Sequence, residues 1–157
     1  MTCLPKPVQV GALVVLLAGC AEDRGFASDI AAHLDLLRLK DQLACHKQAL
    51  QTYPSDLASL SSAESIAKCP LPEELATSLN YSSQGSWLSH RWEYKPRRRT
   101  AEGRFEFYTL EVTDLRRASR YRSFWLDATG VVRSSNGSRP ADRDDPAESL
   151  QRLEDLR

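Results

Sequence analysis

The residue types here that could do chemistry are few, with four cysteines and three histidines in 157 residues. Cys20 closes the run Leu17-Ala18-Gly19-Cys20. Its small residues would let the backbone enter a peptidase cleft, and a thiol is a nucleophile able to form a thioether. Cys45 and Cys69 lack the C-x-x-C spacing of a redox pair. His33 and His46 are too far apart to be an i, i+4 ligand pair on a helix, and a metal at Cys45 and His46 would need partners that no spacing identifies. Nor does the sequence contain a nucleophile elbow, Walker loop, dinucleotide fingerprint or zinc-protease helix. The expectation is a non-enzymatic protein with no metal and no cofactor.

Ahead of Cys20 come a single basic residue, Lys6, and an apolar run over residues 10–17, too short to span the hydrocarbon core of a bilayer. The segment resembles the lipobox signal of bacterial lipoproteins. That resemblance implies a signal peptide over residues 1–19 cut between Gly19 and Cys20, with the lipid carried on Cys20, so that the membrane becomes a partner through that lipid. In the family an acidic residue after the cysteine favours retention at the inner membrane. Ala21 stands there, which implies the outer membrane, periplasmic or surface-facing. With Cys3 removed and Cys20 lipidated, Cys45 and Cys69 are left in an oxidising compartment, where a disulfide is the expected outcome.

Charge is balanced, with 21 basic and 21 acidic residues, so no global field draws the chain to nucleic acid. Arginines nonetheless cluster at Arg97, Arg98 and Arg99 and again at Arg116, Arg117, Arg120 and Arg122. Such clusters are either solvated turn charge or a patch for an anionic partner. Trp87, Trp92 and Trp125, with Tyr94, Phe105, Phe107 and Tyr108, could pack a small sheet or stack on glycans or peptides. Arg97, Arg98, Arg99, Trp92 and Trp125 are therefore the candidate binding residues, and exposed aromatics on one strand face would favour that role.

These side chains must be positioned by a helix followed by strands. Residues 20–28 are small and polar and read as a tether, and Ser28 and Asp29 offer N-cap side chains. Apolar residues at Ile30, Leu34 and Leu37, and at Leu36, Leu39, Leu43 and Leu50, predict one amphipathic helix to about residue 52, ending before Pro54. Ser55 can cap a short helix that turns Leu57 and Leu60 inward, and a serine-rich loop with one helical turn at Leu71-Pro72-Glu73-Glu74-Leu75 follows. Alternation then predicts strands over 90–95, stopped by Pro96, and over 105–114, 121–126 and 131–134, the last two joined by a turn at Asp127-Ala128-Thr129-Gly130. Residues 135–145 read as a mobile tail. Asp145, Pro146 and Glu148 read as the start of a short helix carrying Leu150, Leu153 and Leu156.

The helix, the segment Tyr53, Pro54, Ser55, Leu57 and Leu60, and the stretch from Ser123 through Asp127 and Gly130 to Arg133 resemble the globular domain of type IV pilin-like proteins over most of residues 30–134. The resemblance implies an α+β fold, a long N-terminal helix packed on a four-stranded antiparallel sheet, in a domain of residues 29–134. A tail with a short C-terminal helix then occupies residues 135–157. After Gly25 and Phe26 the sequence is not an apolar span and lacks the glutamate of a pilin, so the implied protein is a pilin-like head on a lipid anchor. Two functions follow. One is a structural or interaction module linked to pilus or secretion proteins, which calls for a flat surface patch. The other is a periplasmic ligand-binding module using the aromatic sheet face and the arginines, which calls for a concave pocket.

Overall fold

The computed structural model describes residues 10–82, 86–87, 90–116, 121–136 and 139–148, with side chains in the first helix from Ala27 onward. Residues 1–9, the side chains of Cys20 and Trp87, Arg117 and Arg120, and the C-terminal helix expected beyond residue 148 lie outside the described residues. Helix α1 runs over Val10–Leu50. It passes straight through residues 20–28, so the stretch read as a tether is helical. That stretch holds no proline and one glycine, and extending an existing helix costs far less than nucleating one.

Ala32, Leu36, Leu39 and Leu43 are buried along one face of α1 at helical spacing. The helix ends at Gln51, which takes a left-handed φ of 59°, and Lys47 Nζ donates to the Gln51 carbonyl at 3.2 Å. Asp29 therefore sits inside the helix and is no N-cap. The next cap is also reassigned. Ser59 N donates to Asp56 Oδ1 at 2.8 Å, so Asp56, not Ser55, caps the 3-10 turn Leu57–Ser61, which buries Leu57 and Leu60 as expected. The serine-rich stretch hides a further helix, α2 (Ala63–Lys68), capped by Ser62. Beyond Pro72 the expected single turn extends to α3 (Glu73–Ser82).

The sheet contains β1 (Ser86–Trp87), β2 (His90–Arg99), β3 (Phe105–Asp114), β4 (Arg122–Asp127) and β5 (Arg133–Asn136), ordered as in the chain and antiparallel throughout. Four main strands carry α1, and the two-residue β1 adds a short edge. Pro96 does not stop β2, for it pairs with Tyr108 of β3. On its other side β2 meets β1 only at His90 and Arg91, so Pro96 occupies an open edge where a missing N–H breaks no ladder. Gly130 takes a φ of 76° and its N–H donates to the Asp127 carbonyl at 2.9 Å, which closes the expected turn. Val131 and Val132 lead out of that turn, and β5 starts two residues later than the alternation predicts.

Alternation sorts the sheet into two faces. Trp92, Tyr108, Leu110, Val112, Phe124 and Leu126 point inward and pack with the buried leucines of α1, the 3-10 turn and α3. Arg91, Glu93, Lys95 and Arg97 of β2 share the outer face with Phe107, Thr109 and Glu111 of β3 and with Trp125 and Asp127 of β4, as the pairing requires. The segment 139–148 is a strap, not a loose tail. Ser134 N donates to the Pro146 carbonyl at 3.2 Å, Glu148 N donates to the Val132 carbonyl at 2.8 Å, and Ala147 bridges Arg133. The residues read as a capping box are thus extended, because their polar groups pair with β5 instead. Among the described residues no helix is long and apolar enough to cross a membrane.

Candidate functional site

Two polar constellations stand out, one buried at the junction of α1 with the sheet and one open on the outer face. At the junction Asp29 is only 2 % exposed. Its Oδ1 receives Arg116 Nη2, and its Oδ2 accepts the Arg122 backbone N–H at 3.2 Å. His90 Nε2 lies 3.5 Å from the same carboxylate and 2.8 Å from the Arg122 carbonyl. Arg116 Nε also donates to Asp114 Oδ1 at 2.6 Å, while its guanidinium stacks on Tyr121, 3.8 Å from the ring centroid. Burial pushes the Asp29 carboxyl up, against the pull of Arg116 and His90.

His33 and His90 flank Phe124 with ring centroids 5.8 and 5.9 Å away. Burial lowers the His33 pKa, and the charge of Glu148 opposes the shift. Glu148 itself accepts from Arg122 Nη1 at 2.9 Å and from the Ser134 hydroxyl. Asp29, Asp114 and Glu148 each face an arginine in this junction, which suits a clamp. Among the described residues no group of three or more His, Cys, Asp or Glu could hold a metal ion.

The arrangement separates the candidate binding residues. Trp92 is 6 % exposed in the inner core, and Trp125 is 8 % exposed on the opposite side of the sheet, so the two cannot form one stacking surface. Arg98 pairs with Glu106 at 3.0 Å and lies 5.9 Å from the Phe107 ring. Arg99 packs 6.0 Å from the Phe105 ring and donates through Nε to the Gly103 carbonyl at 3.3 Å. Of the three, Arg97 lines a described cavity.

That cavity lies on the outer face and holds about 400 Å³. Its walls come from Arg97, Phe107, Thr109, Asp127, Thr129 and Arg143, with Tyr108 and Ala128 completing them. The sheet register dictates the arrangement, because Arg97 stands opposite Phe107 and Thr109 opposite Asp127. Phe107 is 47 % exposed, a large apolar side chain left on the surface. Asp127 Oδ1 is engaged by the Thr129 N–H at 2.9 Å and the Thr129 hydroxyl at 2.5 Å, which fixes one wall. The Thr109 hydroxyl is buried without a hydrogen-bond partner among the described residues. Elsewhere on this face the charges are consumed, with Glu93 holding Arg91 at 2.9 Å and Lys95 at 3.2 Å, and Glu111 holding Lys95 at 3.0 Å. Among the described residues neither Arg97 nor Arg143 is paired with a carboxylate.

A second hollow of about 260 Å³ lies between β5 and the strap, but its Arg122 and Arg139 are already held by Glu148 and Asp145. The expected disulfide is present, joining Cys45 on α1 to Cys69 after α2 with the Cα atoms 6.0 Å apart. Sequence reading missed Thr109, Asp127, Thr129 and Arg143 as cavity walls. The Asp127-to-Gly130 turn carried only a hairpin signal, and Arg143 fell in a stretch with no periodicity. Compared with known proteins, the chain matches no family model, no curated protein and no solved structure.

Proposed function

We propose that this chain is a non-enzymatic, lipid-anchored envelope protein whose sheet domain binds a small ligand in the outer-face cavity. The observation that carries the reading is that Arg97 and Arg143, neither paired with a carboxylate among the described residues, line one hollow walled by the exposed ring of Phe107. A concave site of this volume suits a small molecule. The anchor rests on the lipobox ending in Gly19 and Cys20, with Ala21 favouring the outer membrane. Cleavage there would leave α1 helical from the lipidated residue onward, and the rise from Cys20 to Asp29 is roughly 14 Å. The junction around Asp29 would then hold the domain close to the bilayer in a fixed attitude.

A second reading, a pilin-like module that engages pilus or secretion proteins, draws support from the order of parts, a long helix followed by an antiparallel meander. The test that separates the two is a thermal-shift assay of the detergent-solubilised protein against low-molecular-weight fractions of an envelope extract. A ligand at about a hundred times its Kd adds about 2.7 kcal/mol of stability, so an active fraction raises Tm in the parent protein and leaves Arg143→Gln unmoved. If no fraction moves the parent, the ligand-binding reading fails.

A further inference from the structure

The walls of the outer-face cavity carry enough chemistry to name a ligand class. This step rests on the ligand-binding reading above. We infer that the cavity takes an acidic sugar, a pyranose ring bearing one carboxylate, with the ring on Phe107, the carboxylate on Arg97 and Arg143, and ring hydroxyls on Asp127 and Thr129.

Two observations support it. The first is charge. Arg97 and Arg143 reach the cavity with no carboxylate partner among the described residues, on a face where Arg91 and Lys95 are both paired. Guanidinium groups match a carboxylate in a planar, two-point geometry. Asp127 lies in the same wall and repels a ligand that is negative all round, so a phosphate or sulfate fits less well than a molecule with one acidic end.

The second is polarity along β3. Phe107 and Thr109 are successive outer-face residues, so their side chains stand roughly 7 Å apart, about the breadth of a pyranose. Arg97 faces Phe107 at one end and Asp127 faces Thr109 at the other. The cavity is therefore cationic and aromatic at one end and rich in hydrogen-bonding oxygen at the other. An exposed aromatic ring is a platform for the apolar C–H face of a sugar.

The experiment is a two-dimensional NMR titration of the detergent-solubilised full protein with four probes: galacturonate, galactose, benzoate and acetate. The expected result is that galacturonate shifts the amides of Phe107, Thr109 and Thr129, with galactose, benzoate and acetate at least tenfold weaker. Arg97→Gln should weaken galacturonate by roughly 10- to 100-fold, the loss of one charged hydrogen-bonding partner. Galactose binding as tightly as galacturonate would overturn the acidic end, and benzoate binding as tightly would overturn the sugar; either leaves the cavity a ligand site. If no probe moves these amides, the acidic-sugar inference falls, and the thermal-shift assay alone then decides whether any small ligand is bound.

Discussion

Asp29 on α1 and Arg116, 87 residues further along the chain, form an ion pair that fastens the helix to the end of the sheet. The same carboxylate takes the backbone N–H of Arg122, so one α1 side chain holds both the segment leaving β3 and the start of β4.

Asp29→Asn should therefore destabilise the domain by about 2 kcal/mol. Arg116 is one-fifth exposed and keeps Asp114, which holds the cost below that of a fully buried orphan charge. Asp41→Asn is the control, since Asp41 is 78 % exposed in its pair with Lys40 and should change stability little. Chemical denaturation of both variants checks this. A loss under 0.5 kcal/mol for Asp29→Asn would show the clamp to be ornamental.

Reducing the Cys45–Cys69 bond, or replacing both cysteines by serine, should lower stability by about 3 to 4 kcal/mol for a loop with a sequence separation of 24. Tm then falls by on the order of 10 °C. The bond has a polar companion, for Gln42 Nε2 donates to the Cys69 carbonyl at 2.9 Å, so the reduced protein should unfold earlier yet keep its fold at room temperature. Equal melting curves with and without reductant would contradict this.

Burial holds His33 below its ordinary value of 6.5, so the folded state binds this proton less readily than the unfolded chain. Stability from this group is present above pH 6.5 and is lost as pH falls from there toward the folded-state value. Asp29, raised above 3.8, acts with the opposite sign as pH falls through its own folded value, so the informative quantity is the difference between parent and variant. His33→Leu should match or exceed the parent at pH 7, because His33 Nδ1 lacks a hydrogen-bond partner among the described residues, and should gain on it as pH falls from 7 to 5.5. Parallel stability curves for the two proteins would reject the assignment.

Cys20→Ser should move the protein from the membrane fraction to the soluble one, since acyl chains contribute about 0.8 kcal/mol per buried CH₂. Fractionation of intact cells checks it, and a mutant that stays with the membrane would mean that another segment holds it there.

Much of the fold was legible because its signals are local. The spacing of Leu36, Leu39 and Leu43 marked the buried face of α1, and Gly130 marked the hairpin turn. What failed depended on distant partners. Asp29 before an apolar stripe looks the same as an N-cap until Arg116 is placed beside it. Pro96 reads as a strand stop unless its edge is known to be open. Trp92 and Trp125 looked like one aromatic surface, and only the register Glu111 to Trp125 and Trp92 to Val112 puts them on opposite faces. Arg97 was visible as charge, yet Arg143 joins it through the strap, which no periodicity announces.

The most direct test of the central claim, that the outer-face cavity is a ligand site, is native mass spectrometry of the protein extracted in detergent from its own membranes. A small-molecule adduct on the parent that is absent from an Arg97→Gln, Arg143→Gln double variant of equal stability is the predicted result. Identical spectra, without an adduct on either or with the same adduct on both, would contradict it.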